Sequence, residues 1–557
     1  MGQCSLPCLP CTPQLGRGHR STRKVGRERR YSRQLLQQNR LERLELQTRT
    51  QRRLDTQNTC WLGDIRLGTL VSPRCRTFAA EYKLTTASVG KGMSGHVRLA
   101  CARQEPQCKV AVKTLDKKGL SQRALRDLRR EVDIYLRMDH AHIVQLLRVF
   151  DEHEKIYLVM EYCSGGSLAQ RLEQQGHYTE QAAADAIRQV LRAVSYCHSR
   201  PVGAVCHRDL KLANFVYVDD GELLKLVDFG LSRVLAPGGP RLQNCAGTLD
   251  FMAPEVLLRR AYNESCDLWS VGVMAFCLLT GHRPYGGTTE AEVMDAIQSG
   301  KLQTECEVWR GTRDSSRDFV LRLLELQPSE RPTAAAALQH PWLAKAASEP
   351  SGEVKTRTVS GEVLRSVRSF ASESPANRAV AALLAYADGA PAGEDVDFVE
   401  EQFRMLDTDG NGTLSLAELM GPLREALGVS EEECQRIFDG IDVVNDHEIQ
   451  RSEFLAAATF ARLVHNESAI RRAFNRLDLD QDGQISVMEL TAVLGQRFCG
   501  EPSSKIFREW DSNGDQAVSF EEFMAVLERL RRRELATPPA RPGKCCSEAG
   551  KEPTVLP

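Results

Sequence analysis

Three short motifs that follow one another between Val205 and Glu255 constrain this chain more than any other feature of its sequence. The first is Cys-His-Arg-Asp-Leu-Lys-Leu-Ala-Asn over 206–214, the second is Val-Asp-Phe-Gly over 227–230, and the third is Phe-Met-Ala-Pro-Glu over 251–255. Each motif alone could arise by chance, but the three in this order and spacing could not. The segment must therefore fold so that its polar side chains meet around one centre.

These residue types are the ones that phosphoryl transfer from a nucleotide requires. Asp209 would orient a substrate hydroxyl and accept its proton, while Asn214 and Asp228 would each hold a Mg²⁺ ion. Lys211 can reach the transferred phosphoryl group and favours Ser/Thr over Tyr acceptors. The motif set resembles that of the protein kinase family, which implies a bilobal α+β fold that uses ATP and Mg²⁺.

The resemblance extends upstream, over a segment that predicts the nucleotide site. The glycines of Gly90–Gly95 let a hairpin close over the ATP phosphates with its backbone N–H groups. Lys113 ends the alternating strand Val110–Lys113 and would bind the α- and β-phosphates. Glu131, on a predicted helix over Ser121–Leu136, is placed to pair with that lysine. Together with Asp209, Lys211, Asn214 and Asp228, this pair completes the predicted catalytic set.

An apolar strand over Ile156–Met160 leads into a segment that resembles the kinase hinge. There the adenine would bond to the backbone, and Met160 would be the gatekeeper residue. The predicted ATP-binding residues are Val89, Gly90, Lys91, Gly92, Met93, Ser94, Gly95, His96, Val97, Ala111, Lys113, Met160, Glu161 and Cys163.

Substrate choice and activation are expected to depart from the commonest kinase pattern. Ser167 and Ala213 stand where kinases that select basic substrates usually carry glutamate. Without those carboxylates, the electrostatic reason for preferring an arginine three residues before the target is missing. The segment Leu231–Thr248 offers no Thr or acid in its middle to pair with Arg208, so activation is not expected to depend on phosphorylation there.

Three twelve-residue stretches in the C-terminal part have oxygen-bearing residues at the six ligand positions of an EF-hand calcium loop. They begin at Asp407, Asp478 and Asp511; the third has Gln516 in place of the usual turn glycine, and some strain is expected there. The predicted Ca²⁺ ligands are Asp407, Asp409, Asn411, Thr413, Glu418, Asp478, Asp480, Asp482, Gln484, Glu489, Asp511, Asn513, Asp515, Ala517 and Glu522.

A fourth repeat, Asp442–Glu453, lacks two features of such a loop. Val444 replaces a carboxylate at the third position, and His447 replaces the glycine at the sixth. It is predicted to be a structural partner rather than a calcium site. Four repeats predict four helix–loop–helix units arranged as two paired lobes.

A junction over 348–393 connects the kinase and calcium modules. Val363, Val367 and Phe370 fall on one helical face, and a second helical run over Pro375–Ala387 begins with Ser374 as its N-cap. One interpretation is an ordinary connector that packs on the kinase. The other is a calmodulin-target-like segment that blocks the cleft at rest and is taken up by the calcium module.

The N-terminal arm carries a pattern that could place the chain at a membrane surface. Gly2 and Cys4 resemble a start that is myristoylated and palmitoylated, although Leu6 stands where Ser or Thr is usual. The Arg-rich run from Arg17 to Arg53 could add contact with anionic lipid. The plainer interpretation of that run is a solvated basic tail.

Composition bounds the domain count and the compartment. The 557 residues are too many for one ordinary core, and 42% hydrophobic with 26% charged residues is typical of a globular protein. No apolar run approaches the roughly 20 residues of a membrane span, and no signal-peptide pattern is present. The 18 scattered cysteines indicate free thiols. A cytoplasmic protein is expected, and nothing points to nucleic acid as a partner.

The whole arrangement resembles the calcium-dependent protein kinases. The resemblance implies a multidomain chain: an α+β bilobal kinase fold, then an all-α, calmodulin-like domain with four EF-hands, flanked by disordered tails. It implies a Ser/Thr kinase that calcium activates when its own EF-hands bind the junction. The alternatives are a kinase that also needs separate calmodulin, and a calcium-sensing scaffold with a catalytically weak kinase domain. The predicted ranges are 1–80 (arm), 82–343 (kinase), 348–393 (junction), 395–533 (EF-hands) and 534–557 (tail).

Overall fold

The computed structural model describes residues 77–536, except 93–94, 104, 201–202, 347–358, 388–393, 444–446 and 464. The chain divides into two compact units, 1–60 and 61–557, and all described residues belong to the second. The predictions on Gly2, Cys4, Met93, Ser94 and Val444 lie outside the described residues. So do those on the arm before residue 77 and on the tail after residue 536.

An antiparallel five-stranded sheet with the order β1-β2-β3-β5-β4 forms the first layer of the fold. In β3 the four residues Val110–Lys113 are all buried, so both faces of this strand are covered. One long helix, α2, accompanies the sheet, and Ser121 caps its first turn. The elements are α1 Phe78–Glu81, β1 Tyr82–Gly92, β2 Gly95–Ala102, β3 Lys109–Asp116, α2 Gln122–Arg137, β4 Leu146–Asp151 and β5 Lys155–Glu161.

The packing of this lobe begins before Tyr82, the predicted start of the kinase domain. Phe78 belongs to α1 and is 4% exposed. Its ring stacks on Tyr157 with centroids 4.3 Å apart and meets Phe150 edge-on. An aromatic residue within the range predicted as the arm therefore lies in the core of this lobe.

A second, mainly helical lobe surrounds α6, whose residues are almost all buried. A helix that is apolar on every side is typical of a domain centre. The elements are α3 Leu168–Gln175, α4 Glu180–His198, β6 Ala204–Cys206, β7 Phe215–Tyr217, β8 Leu224–Leu226, β9 Arg233–Leu235, α5 Pro254–Leu257, α6 Ser265–Thr280, α7 Glu290–Ser299, α8 Glu307–Gly311, α9 Asp314–Leu323, α10 Ala334–Leu338 and α11 Pro341–Ala346. Short 3₁₀ turns cover Leu212–Asn214 and Leu249–Phe251.

Two junction helices follow, α12 Gly361–Ala371 and α13 Pro375–Ala387. The Ser374 hydroxyl accepts a hydrogen bond from the Asn377 amide, as expected of the predicted N-cap. Val363, Val367 and Phe370 are all buried, whereas Arg365 is exposed. The predicted amphipathic face of α12 is therefore present.

The EF-hand module consists of four helix–loop–helix repeats. Loops one and two pair through β10 and β11, and loops three and four pair through β12 and β15. The predicted two lobes are therefore present. The elements are α14 Glu394–Leu406, β10 Thr413–Leu414, α15 Leu416–Leu427, α16 Glu431–Ile441, β11 Ile449–Gln450, α17 Arg451–Leu463, α18 Glu467–Leu477, β12 Gln484–Ser486, α19 Val487–Leu494, β13 Arg497–Phe498, β14 Glu501–Pro502, α20 Ser503–Trp510, β15 Ala517–Ser519 and α21 Phe520–Ala536.

None of the helices in the described part of the chain has the length and apolar character needed to cross a bilayer.

Candidate active site and calcium loops

Lys113 is the centre of a buried charge cluster between the two kinase lobes. Its Nζ donates to Glu131 Oε1 at 2.5 Å and to Asp228 Oδ1 at 2.6 Å. Burial alone would lower the pKa of Lys113, but Tyr135, Glu131 and Asp228 together raise it. The lysine is therefore held charged, as binding of nucleotide phosphates requires.

Glu131 and Asp228 reach this lysine from different elements. Glu131 lies on α2, and its predicted pairing with Lys113 of β3 is present. Asp228 has a positive φ of 68°, which is uncommon for a non-glycine residue. The surrounding hydrogen bonds must stabilise this conformation. Burial would raise the pKa of Asp228, but the Lys113 ammonium outweighs it and the pKa is lowered. An ionised Asp228 is the form that a metal ion needs.

The catalytic loop holds Asp209 between two donors. Lys211 Nζ donates to Asp209 Oδ2 at 2.8 Å, and the Thr248 hydroxyl donates to Asp209 Oδ1 at 2.7 Å. Lys211 Nζ also donates to Thr248 Oγ1 at 2.9 Å. The carboxylate is therefore fixed in orientation beside the lysine predicted to contact the phosphoryl group.

Asn214 is bonded to Asp209 and to the residue that precedes Asp228. Its Nδ2 donates to the Asp209 backbone carbonyl at 2.8 Å, and its own carbonyl accepts from the Val227 amide at 2.8 Å. The second bond places Asn214 beside the strand that leads into Asp228. The side-chain amide oxygen of Asn214 and the ionised carboxylate of Asp228 are ligand types that suit Mg²⁺, which prefers oxygen ligands and bridges nucleotide phosphates.

Two sets of buried bonds support the catalytic loop and the segment that follows it. Asp267 of α6 accepts from the backbone amides of His207 and Arg208, each at 2.8 Å. Arg331 forms a two-pronged pair with Glu255 at 2.7 and 2.8 Å, buried on both sides. These bonds anchor the catalytic loop and the end of the activation segment to the helical lobe.

The Arg208 guanidinium has hydrogen-bond partners within the kinase domain. Its Nε donates to the Leu231 carbonyl at 2.7 Å, and Nη1 donates to the Tyr262 hydroxyl at 3.2 Å. In kinases that need activation-segment phosphorylation, an arginine such as this one pairs with the phosphate. The internal partners agree with the expectation that this chain does not depend on such phosphorylation.

The predicted hinge follows β5. Met160 is 5% exposed and pairs with Ala111 across the sheet, and both residues are buried. The Glu161 side chain forms an ion pair within the kinase domain, in which its Oε1 accepts a hydrogen bond from Lys225 Nζ at 2.8 Å. Burial raises the pKa of the nearby Cys163 thiol to about 12. The Glu161 carboxylate is paired and the Cys163 thiol is neutral, so neither side chain presents an unpaired charge at the cleft. Recognition of the adenine at the hinge is therefore left to backbone groups.

Three of the EF-hand loops share one hydrogen-bond pattern. In each, the carboxylate at position 12 accepts from backbone amides near positions 2 and 9, as Glu418 does from Thr408 and Ser415 at 2.9 Å. The carboxylate at position 1 accepts from the amide at position 6, as Asp407 does from Gly412 at 3.0 Å. The matching bonds of the other two loops involve Glu489, Glu522, Asp478 and Asp511.

Carboxylate oxygens converge in these loops. Those of Asp407, Asp409 and Glu418 lie within 4.8 Å of one another, and so do those of Asp478, Asp480 and Glu489. Two oxygens bound to one Ca²⁺ ion are separated by no more than about 5 Å, because each lies about 2.5 Å from the metal. Both loops therefore fit Ca²⁺. The fourth loop has the same backbone pattern, with Asn513 supplying the oxygen at position 3.

The electrostatics of the first and fourth loops differ. Burial, together with the charges of Asp409 and Glu418, raises the pKa of Asp407 to about 7. Burial would also raise the pKa of Glu522, but hydrogen bonds from Ser519, Asn513 and Ser512 lower it to about 2. In the first loop the crowded carboxylates repel one another, and a divalent cation would relieve that repulsion.

Two residues of the site were not predicted from the sequence. Thr248 donates a hydrogen bond to Asp209 and follows Gly247 at the end of the activation segment. The Gly-Thr dipeptide shortly before Ala-Pro-Glu was the sequence signal that could have identified it. The Tyr135 hydroxyl accepts from the Asp228 amide at 3.0 Å. Tyr135 lies four residues after Glu131 on α2, and this spacing places both on one helical face.

Comparison with known proteins agrees with this geometry. Residues 84–343 match the protein kinase domain family, and residues 397–459 and 467–528 match the EF-hand domain pair family. Calcium-dependent protein kinase 7 of Arabidopsis thaliana is 33% identical over 475 residues, which cover 83% of this chain and 85% of that protein. Calcium-dependent protein kinase 3 of Oryza sativa subsp. japonica is 34% identical over 477 residues, covering 84% of each.

The two domain matches and the site define a protein kinase joined to EF-hands in one chain. The relatives, matched over most of their length, narrow this further: the chain belongs to the calcium-dependent protein kinases. It is a calcium-dependent Ser/Thr protein kinase whose kinase domain uses ATP and Mg²⁺ and whose EF-hands bind Ca²⁺. The fold class and the enzyme class predicted from the sequence are confirmed.

Proposed function

We propose that calcium activates this kinase by moving the junction from the catalytic cleft onto the chain's own EF-hands. At low calcium the junction occupies or distorts the cleft; calcium opens the EF-hand lobes, which then take up the junction helices. The observation that carries this proposal is the place of α12 and α13, whose apolar faces lie in the core of the EF-hand module.

The contacts of α12 are those of a helix held in a groove. Its buried residues pack among those of α15, α16 and α17, and Phe370 meets Phe460 with ring centroids 5.8 Å apart. Ser366 Oγ donates to the Ala457 carbonyl at 2.9 Å, and Arg368 pairs with Glu433 at 2.5 Å. An amphipathic helix laid into an apolar groove is the recognition mode of calmodulin-like proteins.

Helix α13 extends this contact to the second lobe. It packs on α17 of the first lobe and on α18 and α20 of the second. Arg378 Nη1 donates to the Gly440 carbonyl at 2.7 Å, which ties the helix to α16 as well. Both lobes therefore share one bound segment, so calcium binding in either lobe can contribute to its uptake.

Residue roles in the phosphotransfer follow from the site. Asp209 orients the substrate hydroxyl and accepts its proton, while Lys211 and Lys113 stabilise negative charge on the phosphates. Asn214 and Asp228 would hold the metal ions. Bound Mg²⁺ supplies neutralisation of the phosphate charge. Substrates are proteins with Ser or Thr acceptors and no requirement for a basic residue three positions earlier.

The location of the protein is a further part of the proposal, and it rests on the N-terminal sequence alone. The chain acts in the cytoplasm and contacts membrane through acylation at Gly2 and Cys4 together with its basic arm. A single acyl chain binds only marginally, so replacing Cys4 with Ser should release the protein from membranes while Gly2 remains myristoylated. Fractionation of cells expressing each form would test this.

The uptake of the junction is tested by Phe370→Ala, with Arg365→Ala as the matched control on the exposed face of the same helix. Removing a buried phenylalanine costs about 3–5 kcal/mol of packing. The calcium-stimulated rate at a fixed intermediate calcium concentration should therefore fall at least tenfold, while Arg365→Ala follows the wild-type curve. A Phe370→Ala protein that is activated like the wild type would contradict the proposal.

A further inference from the structure

We infer that Tyr135 is a positioning residue of the metal site: its hydroxyl holds Asp228 in the backbone conformation that binds Mg²⁺. Tyr135 lies on α2 and is 1% exposed, so its phenol is enclosed by the kinase domain. A part for it in phosphotransfer was not predicted from the sequence. Its role depends on the proposed function of Asp228 as a metal ligand.

The backbone of Asp228 has a conformation that needs support. Its φ of 68° lies in the left-handed region, which costs a non-glycine residue free energy. The Asp228 amide donates to the Tyr135 hydroxyl at 3.0 Å. A partly buried N–H is costly to leave without an acceptor. The hydroxyl therefore favours the observed backbone over conformations that turn this N–H away from α2.

The ring of Tyr135 contacts the next residue of the same segment. It meets the buried ring of Phe229 edge-on, with centroids 5.2 Å apart and an angle of 77° between the planes. Edge-to-face packing of two aromatic rings is a favourable arrangement. One side chain thus contacts two consecutive residues, the amide of the first and the ring of the second, and this restricts rotation of the backbone between them.

The carboxylate of Asp228 is oriented by two further bonds. Its Oδ1 accepts from Lys113 Nζ at 2.6 Å and from the Gly230 amide at 3.3 Å. Both bonds require the backbone of Asp228 to stay where the Tyr135 hydroxyl holds it. Neither of them uses Oδ2, which is therefore the oxygen that these two bonds leave for a cation.

Helix α2 supports the nucleotide site and the metal site from one face. Glu131 lies four residues before Tyr135, which is the spacing of neighbours on a helix surface. Glu131 accepts from Lys113 Nζ at 2.5 Å, and Tyr135 accepts from the Asp228 amide. The hydroxyl of Tyr135 therefore gives this helix a direct bond to the segment that carries the metal ligand, in addition to its bond to the lysine.

Hydrogen–deuterium exchange of the full chain without nucleotide or Mg²⁺ tests the bond itself. Tyr135→Phe removes the hydroxyl and keeps the ring that packs on Phe229. The Asp228 amide loses its acceptor, so exchange of the amides in 228–230 should become about tenfold faster. Tyr178→Phe is the matched control, because it removes a hydroxyl bonded to Tyr217 at 3.2 Å, and it should leave 228–230 unchanged. Unchanged exchange in Tyr135→Phe would overturn the inference.

The consequence for metal binding is tested with a fluorescent ATP analogue and the full chain. Binding is titrated with Mg²⁺ at micromolar free calcium, which fills sensor-type EF-hands. In Tyr135→Phe the half-saturating Mg²⁺ concentration should rise up to about tenfold, because fewer molecules hold Asp228 in the binding conformation. Affinity without Mg²⁺ should stay at the wild-type value, since Lys113 and the hinge are unchanged. A role in packing alone would weaken binding equally with and without Mg²⁺, and that result would overturn the inference.

Asp228→Asn separates the role of Tyr135 from the metal role of Asp228. This variant should lose most of the Mg²⁺ dependence of analogue binding. If it kept the wild-type dependence, the metal role of Asp228 would be wrong and the role of Tyr135 would fall with it. If Asp228→Asn lost the dependence while Tyr135→Phe kept the wild-type Mg²⁺ curve, only the role of Tyr135 would be overturned. Neither readout requires turnover, so both are independent of whether junction uptake activates the enzyme.

Discussion

The carboxylate of Asp209 owes its orientation to two donors on different segments, Lys211 in the catalytic loop and Thr248 in the activation segment. The activation segment therefore contributes to the catalytic centre through Thr248 as well as through its anchor at Glu255. At this scale the chemistry depends on single hydrogen bonds, and single substitutions test it most sharply.

Asp209→Asn removes the proton acceptor while keeping the size of the side chain. General-base catalysis contributes typically 10²–10⁴-fold, so kcat should fall by about that factor. ATP binding should be retained, because Lys113 and Asp228 are unchanged. Asp219→Asn, an exposed aspartate near the catalytic loop, is the control and should keep wild-type turnover. If Asp209→Asn kept both turnover and its cellular effect, a scaffold would be the better account.

Ala213→Glu restores one carboxylate at the exposed rim of the catalytic loop. A charge-assisted bond to an arginine contributes about 1.5–3 kcal/mol, so kcat/KM for peptides with arginine three residues before the target should rise roughly tenfold or more. Peptides without that arginine should not gain. Ala213→Gln adds the same bulk without the charge and serves as the control. Equal gains on both peptide sets would show that charge at this position does not select substrates.

At the scale of elements, the EF-hand loops show how a local pattern sets backbone conformation. Positions 4 and 6 take positive φ in loops one, three and four, with values between 60° and 85°. Gln516 occupies such a position with φ 68°, and His447 of the second loop takes φ 65°. The left-handed conformation expected to strain Gln516 is therefore present, and His447 adopts it as well.

Gln516→Gly should relieve this strain. A left-handed conformation costs a non-glycine residue about 1–2 kcal/mol, and glycine's greater freedom in the unfolded chain offsets part of that. The net gain should be about 0.5–1 kcal/mol in the stability of the second lobe, measured by native-state exchange of the β12 and β15 amides. Gln484→Gly, at a neighbouring loop position with ordinary φ, should lower stability by a similar amount. A loss of stability in Gln516→Gly would mean that its conformation carries no strain.

Much of each element could be predicted because the signals are local. Helix starts can be predicted from capping residues such as Ser121 and Ser374, and the calcium loops from ligands spaced within a few residues of one another. The burial of Phe78 was not predicted, because this single aromatic residue follows a basic arm and belongs to no repeating pattern of apolar residues. Tyr135 and Thr248 were missed because each acts through one bond to a distant residue.

At the scale of the whole molecule, the arrangement of modules could not be predicted. The contact between Asp139 and Ser452 joins residues 313 positions apart, and no motif in either segment indicates it. The amphipathic face of α12 could be predicted, but the domain against which it packs could not. A connector helix packed on the kinase and a helix bound by the EF-hands would both need the same row of apolar residues. Packing against α15, α16 and α17 decides between them for this structure.

Activation by the chain's own EF-hands is tested by phosphorylation of Ser/Thr peptides by the purified full chain. The assay is run at fixed Mg-ATP, with and without calcium and with no added calmodulin. Little activity is expected without calcium and a strong rise with it, because the chain's own EF-hands take up the junction. Equal rates in both conditions would contradict the regulatory mechanism while leaving the kinase assignment in place. A rise that appears only after calmodulin is added would show that the EF-hands of the chain are not sufficient.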